Sequence, residues 1–465
     1  MHDLVVRGGT VVTAQGRRTA DVAVRDGVIV DIGEAVGEGR EVLDATGRLV
    51  LPGGVDAHCH IDQVSSTGLL TADDFFSGGV SAACGGTTTL IPFAAQHRGQ
   101  SLRAVVRDYA ARAAARAFVD YGFHLIVSDP TPTVLEEEIP ALVREGFPSL
   151  KVFLTYDALR LTDRQVLELL HVARREGAIT LFHAEHHEGI AWRTAQLVAE
   201  GKVAPKWHAH ARPEAVEREA TARACVLAEL TGARILVVHV SAEGPLDEIR
   251  RARARGVDVL AETCPQYLAF TRDDLDRPGF EGAKWMFSPP PRDAAAQAAL
   301  WAGLADGAID VFSSDHAPYR YDDPEGKRAH GDAAPFPKIP NGVPGLEVRL
   351  PLLFSEGVQR GRLSLERFVA LTAEVPARTY GLYPRKGTLA VGSDADLALW
   401  DPARRVTVTQ ALLHDRMDYT PYEGMPLTGW PVTTVSRGEV VWHEGTVRGA
   451  PGRGRLLRRP AGATG

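Results

Sequence analysis

The sequence predicts an α/β protein, a TIM-like (β/α)8 barrel with a smaller β-sandwich domain built from both chain termini. The middle of the chain alternates apolar, β-branched strands with helical patterns, and eight such units can be recognised. Parallel βα units of this number favour closure into a barrel. An open doubly wound sheet is the alternative, but no G-x-G-x-x-G sequence follows any strand. Both chain ends instead show short strands of alternating polarity between turns, which is typical of a sandwich.

The two domains divide the chain into three predicted segments. Residues 1–50 form the first part of the sandwich, because "DLVVRGGTVVT" and "DVAVRDGVIVDIG" alternate around Gly-Gly and Asp-Gly hairpin turns. Residues 51–385 form the barrel. Residues 386–465 complete the sandwich, since "DADLALWDP" and "TTVSRGEVVWHEGTVR" repeat the same alternation. The final basic run "RGRLLRRP", residues 453–460, is expected to be a solvated end.

The predicted barrel strands are apolar runs of the length that suits a buried parallel sheet. Helical patterns such as "TDRQVLELLHVARREG" and "PEAVEREATARACVLAELTG" separate them. In chain order, the eight strands lie in "RLVLPGGVDAHCH", "GGTTTLIPF", "YGFHLIVSD", "SLKVFLTY", "AITLFHAE", "RILVVHVS", "DVLAETC" and "IDVFSSDH".

The composition is that of a globular protein and limits the classes of partner. The chain has 465 residues, 24% of them charged, and a formal net charge of −7, which gives no footprint for nucleic acid. No run approaches the roughly 20 apolar residues of a membrane span. The first residues, "MHDLVVRGGTVV", do not show the basic and apolar stretches of a secretory signal, so none is expected, and the four cysteines form no CxxC pair. We therefore expect a cytoplasmic protein that binds neither nucleic acid nor membranes.

Metal-capable side chains recur at the ends of the predicted strands. The carboxyl ends of all barrel strands open onto one face, so residues that are distant in sequence converge there. One such histidine alone would more often be a structural residue, but a whole set on one rim predicts a centre with more than one metal. The set is His58 and His60 after strand one, Lys151 in strand four, His183 after strand five, His239 after strand six and Asp315 after strand eight.

Three interpretations compete for the segment "VDAHCHID": a zinc–thiolate site, a buried polar cluster, and the first half of a catalytic metal centre. His58 and His60 are two residues apart, so on a strand both point to one side and Cys59 points to the other. Imidazole suits zinc, and the lack of a second nearby thiolate argues against a closed structural site. We interpret Cys59 as a buried filler and Asp56 as a brace.

Lys151 lies between apolar residues on a predicted interior strand, where a charged amine is costly. One interpretation is a lysine that extends its ammonium to the rim of the barrel. The other is a neutral amine with a lowered pKa, which carbon dioxide could convert to a carbamate. Such a carbamate has two anionic oxygens and could bridge two cations.

Taken together, the motifs resemble a known family. The segments "VDAHCH", "SLKVFLTY", "FHAE", "VVHVS", "ETCPQYL", "FSPPPRD" and "SSDHAPY" are similar to the cyclic amidohydrolases of the dihydropyrimidinase/D-hydantoinase family, over nearly the whole chain. The resemblance implies two zinc ions per subunit, bridged by N6-carboxylysine at Lys151. It assigns His58, His60 and Asp315 to one zinc, and His183 and His239 to the other. It also implies a homotetramer, with residues 417–432 as a predicted contact.

The same resemblance implies a mechanism. A water that bridges the zinc ions loses a proton and attacks the ring carbonyl as hydroxide. Asp315 accepts a proton and delivers it to the leaving nitrogen, while the Tyr156 hydroxyl stabilises the oxyanion. Ser288 and Asn341 bind the imide edge of the ring. The alternatives are an ordinary strand tyrosine for Tyr156 and turn or loop roles for Ser288 and Asn341.

The expected reaction is hydrolysis of 5-substituted hydantoins and dihydropyrimidines to N-carbamoyl amino acids. Dihydroorotase activity is disfavoured because Asp62 occupies the position at which those enzymes typically carry an arginine. Allantoinase or another cyclic amidohydrolase is the alternative function, followed by a non-enzymatic scaffold relative. Loops at residues 62–75, including "TGLL", and 157–162, including "ALRL", are expected to shape an apolar pocket for the exocyclic substituent.

Other reactive residues near these motifs are interpreted as supporting residues. His186 and His187 are expected in the loop after strand five, and His316 is expected either to orient Asp315 or to line the pocket. The H-x-H pair of His208 and His210 is interpreted as part of a polar loop, and Cys264 as a core residue.

Overall fold

The computed structural model of the chain describes residues 1–65 and 68–462. Its first strands belong to a sheet that lies outside the barrel. Leu4 pairs with Val24 in an antiparallel hairpin, as the alternating polarity predicts, and Thr10 pairs in parallel with Leu49. The strands are β1 (His2–Thr13), β2 (Gly16–Arg25), β3 (Val28–Gly33), β4 (Gly39–Asp44) and β5 (Leu49–Pro52).

The next strands are parallel and form the barrel. Strand two is interrupted before Pro92, which has no backbone N–H to donate, and strand three is interrupted at Gly122. The barrel closes where strands eight and one meet, since His60 N donates to His316 O over 2.7 Å. The strands are β6 (Gly54–Asp56), β7 (Thr87–Leu90), β8 (Phe93–Ala95), β9 (Asp120–Tyr121), β10 (His124–Ile126), β11 (Ser149–Phe153), β12 (Ile179–His183), β13 (Ile235–Val237), β14 (Val259–Thr263) and β15 (Val311–Phe312).

Helices alternate with the barrel strands and have recognisable ends. The fourth helix begins with a capping box, in which Thr162 Oγ1 accepts from Gln165 N and the Gln165 side chain accepts from Thr162 N. It ends at Gly177, whose φ of 70° suits glycine. The helices are α1 (Ser77–Cys84), α2 (Leu102–Arg116), α3 (Ile139–Arg144), α4 (Asp163–Glu176), α5 (His187–Ala199), α6 (Trp207–Ala211), α7 (Glu214–Thr231), α8 (Glu243–Ala254), α9 (Pro265–Ala269), α10 (Ala294–Asp306), α11 (Arg349–Leu353), α12 (Leu365–Val369) and α13 (Val375–Thr379).

Shorter helical turns lie between these elements. The 3₁₀ turns are Arg272–Leu275, Glu281–Trp285, Phe336–Lys338 and Gln410–Leu412, and the π-helical turns are Val134–Glu138, Phe354–Gln359 and Ala370–Glu374. Within residues 1–65 and 68–462, no helix is both long and apolar enough to cross a lipid bilayer.

The chain then returns to the terminal sheet. Leu399 pairs with Val50 of β5, so both chain ends contribute to one sheet. Its own core contains Leu4, Val22 and Leu397, all nearly inaccessible to solvent. The predicted fold class, a TIM-like barrel with a domain from both termini, is therefore confirmed. The returning strands are β16 (Leu397–Thr407), β17 (Pro426–Ser436), β18 (Glu439–His443) and β19 (Thr446–Val447).

The C-terminal tail corrects one prediction, because residues 453–460 are not a solvated end. Leu457 and Arg459 are 1% exposed. Leu457 N donates to Tyr121 O, and Arg459 Nη2 donates to Phe123 O and to Ser149 Oγ. The arginines of this tail satisfy carbonyl groups at the amino ends of barrel strands, an acceptor set that charge patterning along the sequence cannot show.

Residues 417–432, the predicted contact between subunits, also make contacts within the chain. Tyr419, Tyr422 and Trp430 are at most 6% exposed within the single chain. They pack against the barrel, for example Tyr422 against Phe270 with ring centroids 5.0 Å apart. The aromatic side chains of this segment therefore contribute to the chain's own core.

Candidate active site

Asp56 holds the ends of the first and eighth barrel strands together. Its Oδ1 accepts hydrogen bonds from His58 N over 3.2 Å and Ser314 N over 3.1 Å. Its Oδ2 lies 3.5 Å from Arg349 Nε, and all of these groups are buried. Asp56 is thus a brace for the backbone that carries His58, as the sequence predicts.

Three predicted ligands meet at one carboxylate oxygen. Asp315 Oδ1 lies 3.1 Å from His58 Nε2 and 3.3 Å from His60 Nε2. The other nitrogen of each ring faces an acceptor, since His58 Nδ1 is 2.5 Å from Glu262 Oε1 and His60 Nδ1 is 2.9 Å from Gln63 Oε1. With the protons on Nδ1, each Nε2 presents a lone pair towards Asp315. Two lone pairs and a carboxylate oxygen at one point form a donor set for a metal cation.

The electrostatics around His58 favour a positive charge at this point. Burial lowers the pKa of the His58 imidazole, but the charges of Glu262 and Asp315 outweigh burial and raise that pKa to about 9. Burial likewise raises the pKa of Asp315, but His58 and His60 hold it well below its usual range. The Asp315 carboxylate is therefore ionised and requires a cation beside it, either a proton on His58 or a metal.

The second histidine pair is formed by neighbouring strands. His183 Nδ1 lies 2.8 Å from His239 Nε2, and His183 Nε2 lies 2.7 Å from Glu185 Oε2. Burial raises the pKa of Glu185, but Arg212, 2.5 Å away, outweighs it and lowers that pKa to about 2. Glu185 is therefore a fixed acceptor for His183 Nε2–H, and the lone pair of His183 Nδ1 points to His239. The His58 and His239 ring centroids are 5.4 Å apart, so the two pairs adjoin.

Lys151 lies between the two pairs and is buried. Its Nζ is 5.4 Å from the centre of the Phe93 ring, which contacts His58, and 5.1 Å from that of Phe153, which stacks on His183. The residue is 1% exposed, which excludes the alternative interpretation of an ammonium at the rim. Nζ has no hydrogen-bond partner among the described residues. Burial lowers its pKa to about 8, against the opposing effect of Glu262 and Asp315.

Three of the predicted site residues have a strained backbone. Tyr156, His239 and Asp315 have φ angles of 71°, 42° and 48°, in the left-handed region that non-glycine residues rarely adopt. Such strain persists only where the surrounding structure enforces it and is concentrated at functional sites. Each of these residues lies within a few residues of the end of a barrel strand. There the chain turns and directs the side chain to the mouth of the barrel, which is the face at the carboxyl ends of its strands.

Tyr156, Ser288 and Asn341 lie around the same mouth. The Tyr156 ring is 5.2 Å from that of His183, centroid to centroid, and its hydroxyl interacts with the Ser288 side chain. Asn341 precedes Gly342, whose N–H donates to Met286 O two residues before Ser288. The Asn341 Oδ1 atom is buried and has no hydrogen-bond partner among the described residues.

Sequence reasoning missed the carboxylates that orient the histidines. Glu185 and Glu262 are fully buried and fix the protonated nitrogen of His183 and His58. The sequence contained a signal for both. Glu185 follows a strand-end histidine by two residues, and Glu262 lies inside the apolar strand "VLAET"; both are unusual positions for a glutamate. Arg212, which neutralises Glu185, lies in a loop and gave no signal.

Two sequence-based interpretations of nearby residues need correction. His208 is not in a loop but in helix α6, and it is 2% exposed. Its Nε2 lies 2.9 Å from Phe287 O and 3.2 Å from Ser288 Oγ, so it supports a predicted substrate contact. Asp62 pairs with Arg112 at 2.9 Å. Its charge is compensated, so repulsion by Asp62 no longer gives a reason to exclude anionic substrates.

Other predictions agree with the structure. His316 Nε2 contacts Asp73 Oδ2 at 3.0 Å and its Nδ1 accepts from Gly345 N, which fixes the backbone next to Asp315. Cys264 and Cys59 are buried. Loop residue Thr67 of the predicted pocket segment "TGLL" lies outside the described residues.

A further group of metal-capable atoms lies away from the mouth. Cys84, Glu347 and His414 are close to one another. The Glu347 carboxylate already accepts from His414 N over 2.9 Å and from His414 Nδ1 over 3.0 Å. We interpret this group as a tie between the C-terminal segment and the barrel.

The mouth of the barrel thus combines side chains that could hold a metal, a buried amine and a tyrosine hydroxyl. Lone pairs on His58, His60 and His183 face anionic or basic neighbours, an arrangement that a bound metal satisfies. The chemistry of these donors fits a metal cofactor.

Comparison with known proteins agrees with this geometry. Residues 49–441 match the model of the amidohydrolase family. A D-hydantoinase of Rhizobium radiobacter is 45% identical over 458 residues, which covers 98% of this chain and 99% of that protein. A solved D-hydantoinase structure superposes with a TM-score of 0.96 at 44% identity, covering 99% of both chains. The dihydropyrimidinase of Brevibacillus agri NCHU1002 superposes with a TM-score of 0.95 at 41% identity, covering 98% of both chains. The chain belongs to the amidohydrolase family and, within it, to the D-hydantoinase/dihydropyrimidinase group.

Proposed function

We propose that this enzyme hydrolyses 5-substituted hydantoins and dihydropyrimidines to N-carbamoyl amino acids with two zinc ions per subunit. His58, His60 and Asp315 would hold one ion, and His183 and His239 the other. The single observation that carries the proposal is the convergence of both histidine pairs on one buried lysine. Names of similar proteins, D-hydantoinase and dihydropyrimidinase, support the same substrate class.

Lys151 would join the two metal positions as N6-carboxylysine. The neutral amine attacks carbon dioxide, a C–N bond forms, and the nitrogen loses one proton, which leaves a carbamate with one negative charge. Two properties support this step: the amine is buried without a hydrogen-bond partner among the described residues, and burial lowers its pKa to about 8. A sizeable neutral fraction is therefore available near neutral pH.

Zinc bound between these residues would supply Lewis acidity, lowering the pKa of water and polarising the ring carbonyl. The remaining steps belong to side chains. Asp315 uses Oδ1 towards the histidines, which leaves Oδ2 to accept a proton from the attacking water and return it to the leaving nitrogen. The nearest hydrogen-bond partner of Oδ2 is Gln266 Nε2, at 3.5 Å, so this oxygen is only weakly held.

Tyr156 would stabilise the oxyanion that forms when the carbonyl is attacked. Burial raises the pKa of its hydroxyl, so the group stays protonated and can donate a hydrogen bond. The positive φ of Tyr156 and its contact with His183 support this role, since His183 is a proposed metal ligand. Donors aimed at a developing negative charge are among the strongest contributions to catalysis.

Ser288 and Asn341 would bind the imide edge that hydantoins and dihydropyrimidines share. That edge has one N–H between two carbonyls. A protein that binds it must therefore place a hydrogen-bond acceptor and hydrogen-bond donors close together. Asn341 Oδ1, which is buried without a hydrogen-bond partner among the described residues, and the Ser288 hydroxyl would supply such groups. Allantoin also contains this edge, which is why allantoinase is the second candidate.

A substrate panel tests the proposal. Purified enzyme reconstituted with zinc is assayed for ring opening of dihydrouracil, 5-phenylhydantoin, allantoin and dihydroorotate. We expect turnover of the first two. Rapid opening of allantoin without turnover of hydantoins would contradict the proposed substrate class, and a metal-free protein without any activity would favour the scaffold relative.

The assembly is proposed to be a homotetramer in the cytoplasm. The aromatic side chains of residues 417–432 pack inside the chain, so the exposed residues of this segment, such as Glu423 and Pro426, would supply its part of the contact. Light scattering on the eluate of a sizing column gives the mass directly, and a monomer of 50.1 kDa would contradict the proposal.

A further inference from the structure

Lys327 is a buried lysine that the proposed mechanism does not use. It lies in the long segment between strand β15 and helix α11 and is 0% exposed. Its Nζ donates to Pro340 O over 2.7 Å, to Gly342 O over 2.7 Å and to Met286 O over 3.1 Å. No ion pair joins it to a carboxylate in the part of the chain that the structure describes. Its three N–H groups are therefore matched to three backbone carbonyls.

These carbonyls belong to the two segments that carry the predicted ring contacts. Pro340 and Gly342 flank Asn341 directly, and Met286 lies two residues before Ser288. Met286 O also accepts from Gly342 N over 2.9 Å, so the segments share one junction. Lys327 Nζ sits at this junction and touches both sides of it.

The turn at Asn341 is also packed tightly against the end of strand eight. Gly342 has a φ of 137°, and a Cβ atom there would come within 2.6 Å of Ala317, two residues after Asp315. The turn therefore has no room for a side chain at position 342, and Lys327 donates to its carbonyl groups. Asn341 Oδ1 remains as the buried acceptor without a partner among the described residues.

Only the protonated form of Lys327 can donate to all three carbonyls of the junction at once. A protonated amine offers three N–H donors, whereas a neutral amine offers two and turns a lone pair towards the third carbonyl. Burial lowers the pKa of Lys327 to about 7, and the three acceptors act in the opposite direction by stabilising the charged form. Hydrogen bonds from a charged donor are about twice as strong as neutral ones, which makes this a rigid connection.

We propose that Lys327 is a positioning residue for substrate recognition, which sets the spacing between Ser288 and Asn341 by tying their two segments together. The inference rests on the proposed function, in which these two residues bind the imide edge. Lys327 does not touch the substrate. It acts through the backbone carbonyls beside the residues that do.

The test replaces Lys327 with methionine, which keeps the length and apolar stem but removes all three donors. Lys338→Met is the matched control, because Lys338 lies in the same segment and is exposed. Both variants are compared with wild type for zinc content, and for kcat and KM on dihydrouracil and 5-phenylhydantoin. We expect Lys327→Met to raise KM at least about tenfold on both substrates, with kcat within about twofold and zinc unchanged.

Two substrates are needed because the imide edge is common to both, whereas the 5-substituent is not. An equal rise in KM on both supports the inference. A KM equal to that of Lys338→Met, a rise on only one substrate, or a loss of zinc together with kcat would overturn it. If Lys327→Met does not fold, Lys327→Gln keeps two N–H donors, and a smaller rise of KM on both substrates is then the required result. A wild-type enzyme that opens neither ring would instead refute the proposed function, and the inference with it.

Discussion

Two buried lysines, Lys151 at the barrel mouth and Lys386 between the barrel and the terminal sheet, have opposite surroundings. Both are 1% exposed. Lys386 Nζ lies 2.7 Å from Asp120, 2.9 Å from Asp394 and 2.6 Å from Asp396. Burial lowers the pKa of Lys386, but these carboxylates outweigh it and raise that pKa above its usual value. Lys151 has no hydrogen-bond partner among the described residues, and burial lowers its pKa to about 8.

The difference shows that neighbours, and not burial, decide what a buried lysine does. A cation with carboxylates on three sides is a structural element that joins two domains. Lys151 instead has aromatic rings on two sides and histidine pairs beyond them. As an ammonium its charge is not paired with a carboxylate, and as a neutral amine it is reactive. We expect mutations at the two positions to affect different properties of the enzyme.

The largest effect is expected at Lys151. Lys151→Ala removes the group that would bridge the metals, so zinc content and hydrolysis should both fall below detection. Small carboxylic acids should restore part of both, because a carboxylate can occupy the space of the carbamate. Metal analysis and ring-opening assays with and without added propionate measure this. Full activity without added acid would remove Lys151 from the site.

Lys386→Met should destabilise the folded chain by about 3–5 kcal/mol, because it leaves buried carboxylates uncompensated. Denaturant unfolding of the metal-free protein gives the free energy. Lys206→Met is the control, since Lys206 forms an exposed pair with Asp276, for which at most about 1 kcal/mol is expected. Protein of Lys386→Met that remains folded should still bind zinc, and a selective loss of zinc would contradict the comparison.

Lys151→Met should have the opposite effect on stability: in metal-free, bicarbonate-free protein it should raise the free energy of unfolding. A pKa lowered from 10.5 to about 8 means that folding opposes protonation. The penalty is full below about pH 8 and disappears as the pH rises towards 10.5, so wild-type stability should increase over that range. Lys151→Met should therefore be more stable than wild type by about 3 kcal/mol at pH 7, with the gap closing by pH 10. A constant gap would show that Lys151 has an ordinary pKa.

Tyr156→Phe should retain zinc and lower kcat by about two orders of magnitude, the usual scale for a lost oxyanion donor. This variant separates the chemistry at the mouth from metal binding, which Lys151→Ala does not. Steady-state kinetics measure kcat, and zinc analysis of the same preparation shows whether the metal is retained. Turnover equal to that of wild type would exclude Tyr156 from the mechanism.

The smallest expected effect is at two carboxylates, Glu262 beside His58 and Asp394 beside Lys386. Glu262→Gln should weaken zinc binding by about 10–100-fold, because Glu262 fixes the protonated nitrogen of His58. Asp394→Asn, at the partly exposed edge of the Lys386 cluster, is the matched control and should leave zinc affinity unchanged. Competition with a chelator of known affinity measures both. Equal zinc affinity in the two variants would refute the role of Glu262.

The sequence predicted this site unevenly, for physical reasons. His58 and His60 follow from spacing along one strand, and the barrel rule brings Asp315 to them. The roles of Glu262 and Glu185 depend on which nitrogen each histidine turns outward, a property of packing between strands. Lys327 carried no signal, because its three acceptors are backbone carbonyls and the sequence does not show where these meet. For the same reason, the arginines of residues 453–460 were expected in solvent.

Diffraction at the zinc absorption edge, from crystals grown with zinc and bicarbonate, tests the central claim most directly. The account predicts two zinc ions per chain, one against His58, His60 and Asp315 and the other against His183 and His239. It also predicts a carboxyl group on Lys151 Nζ that contacts both ions. A fully active enzyme with an unmodified Lys151, or with metal at only one histidine pair, would contradict it.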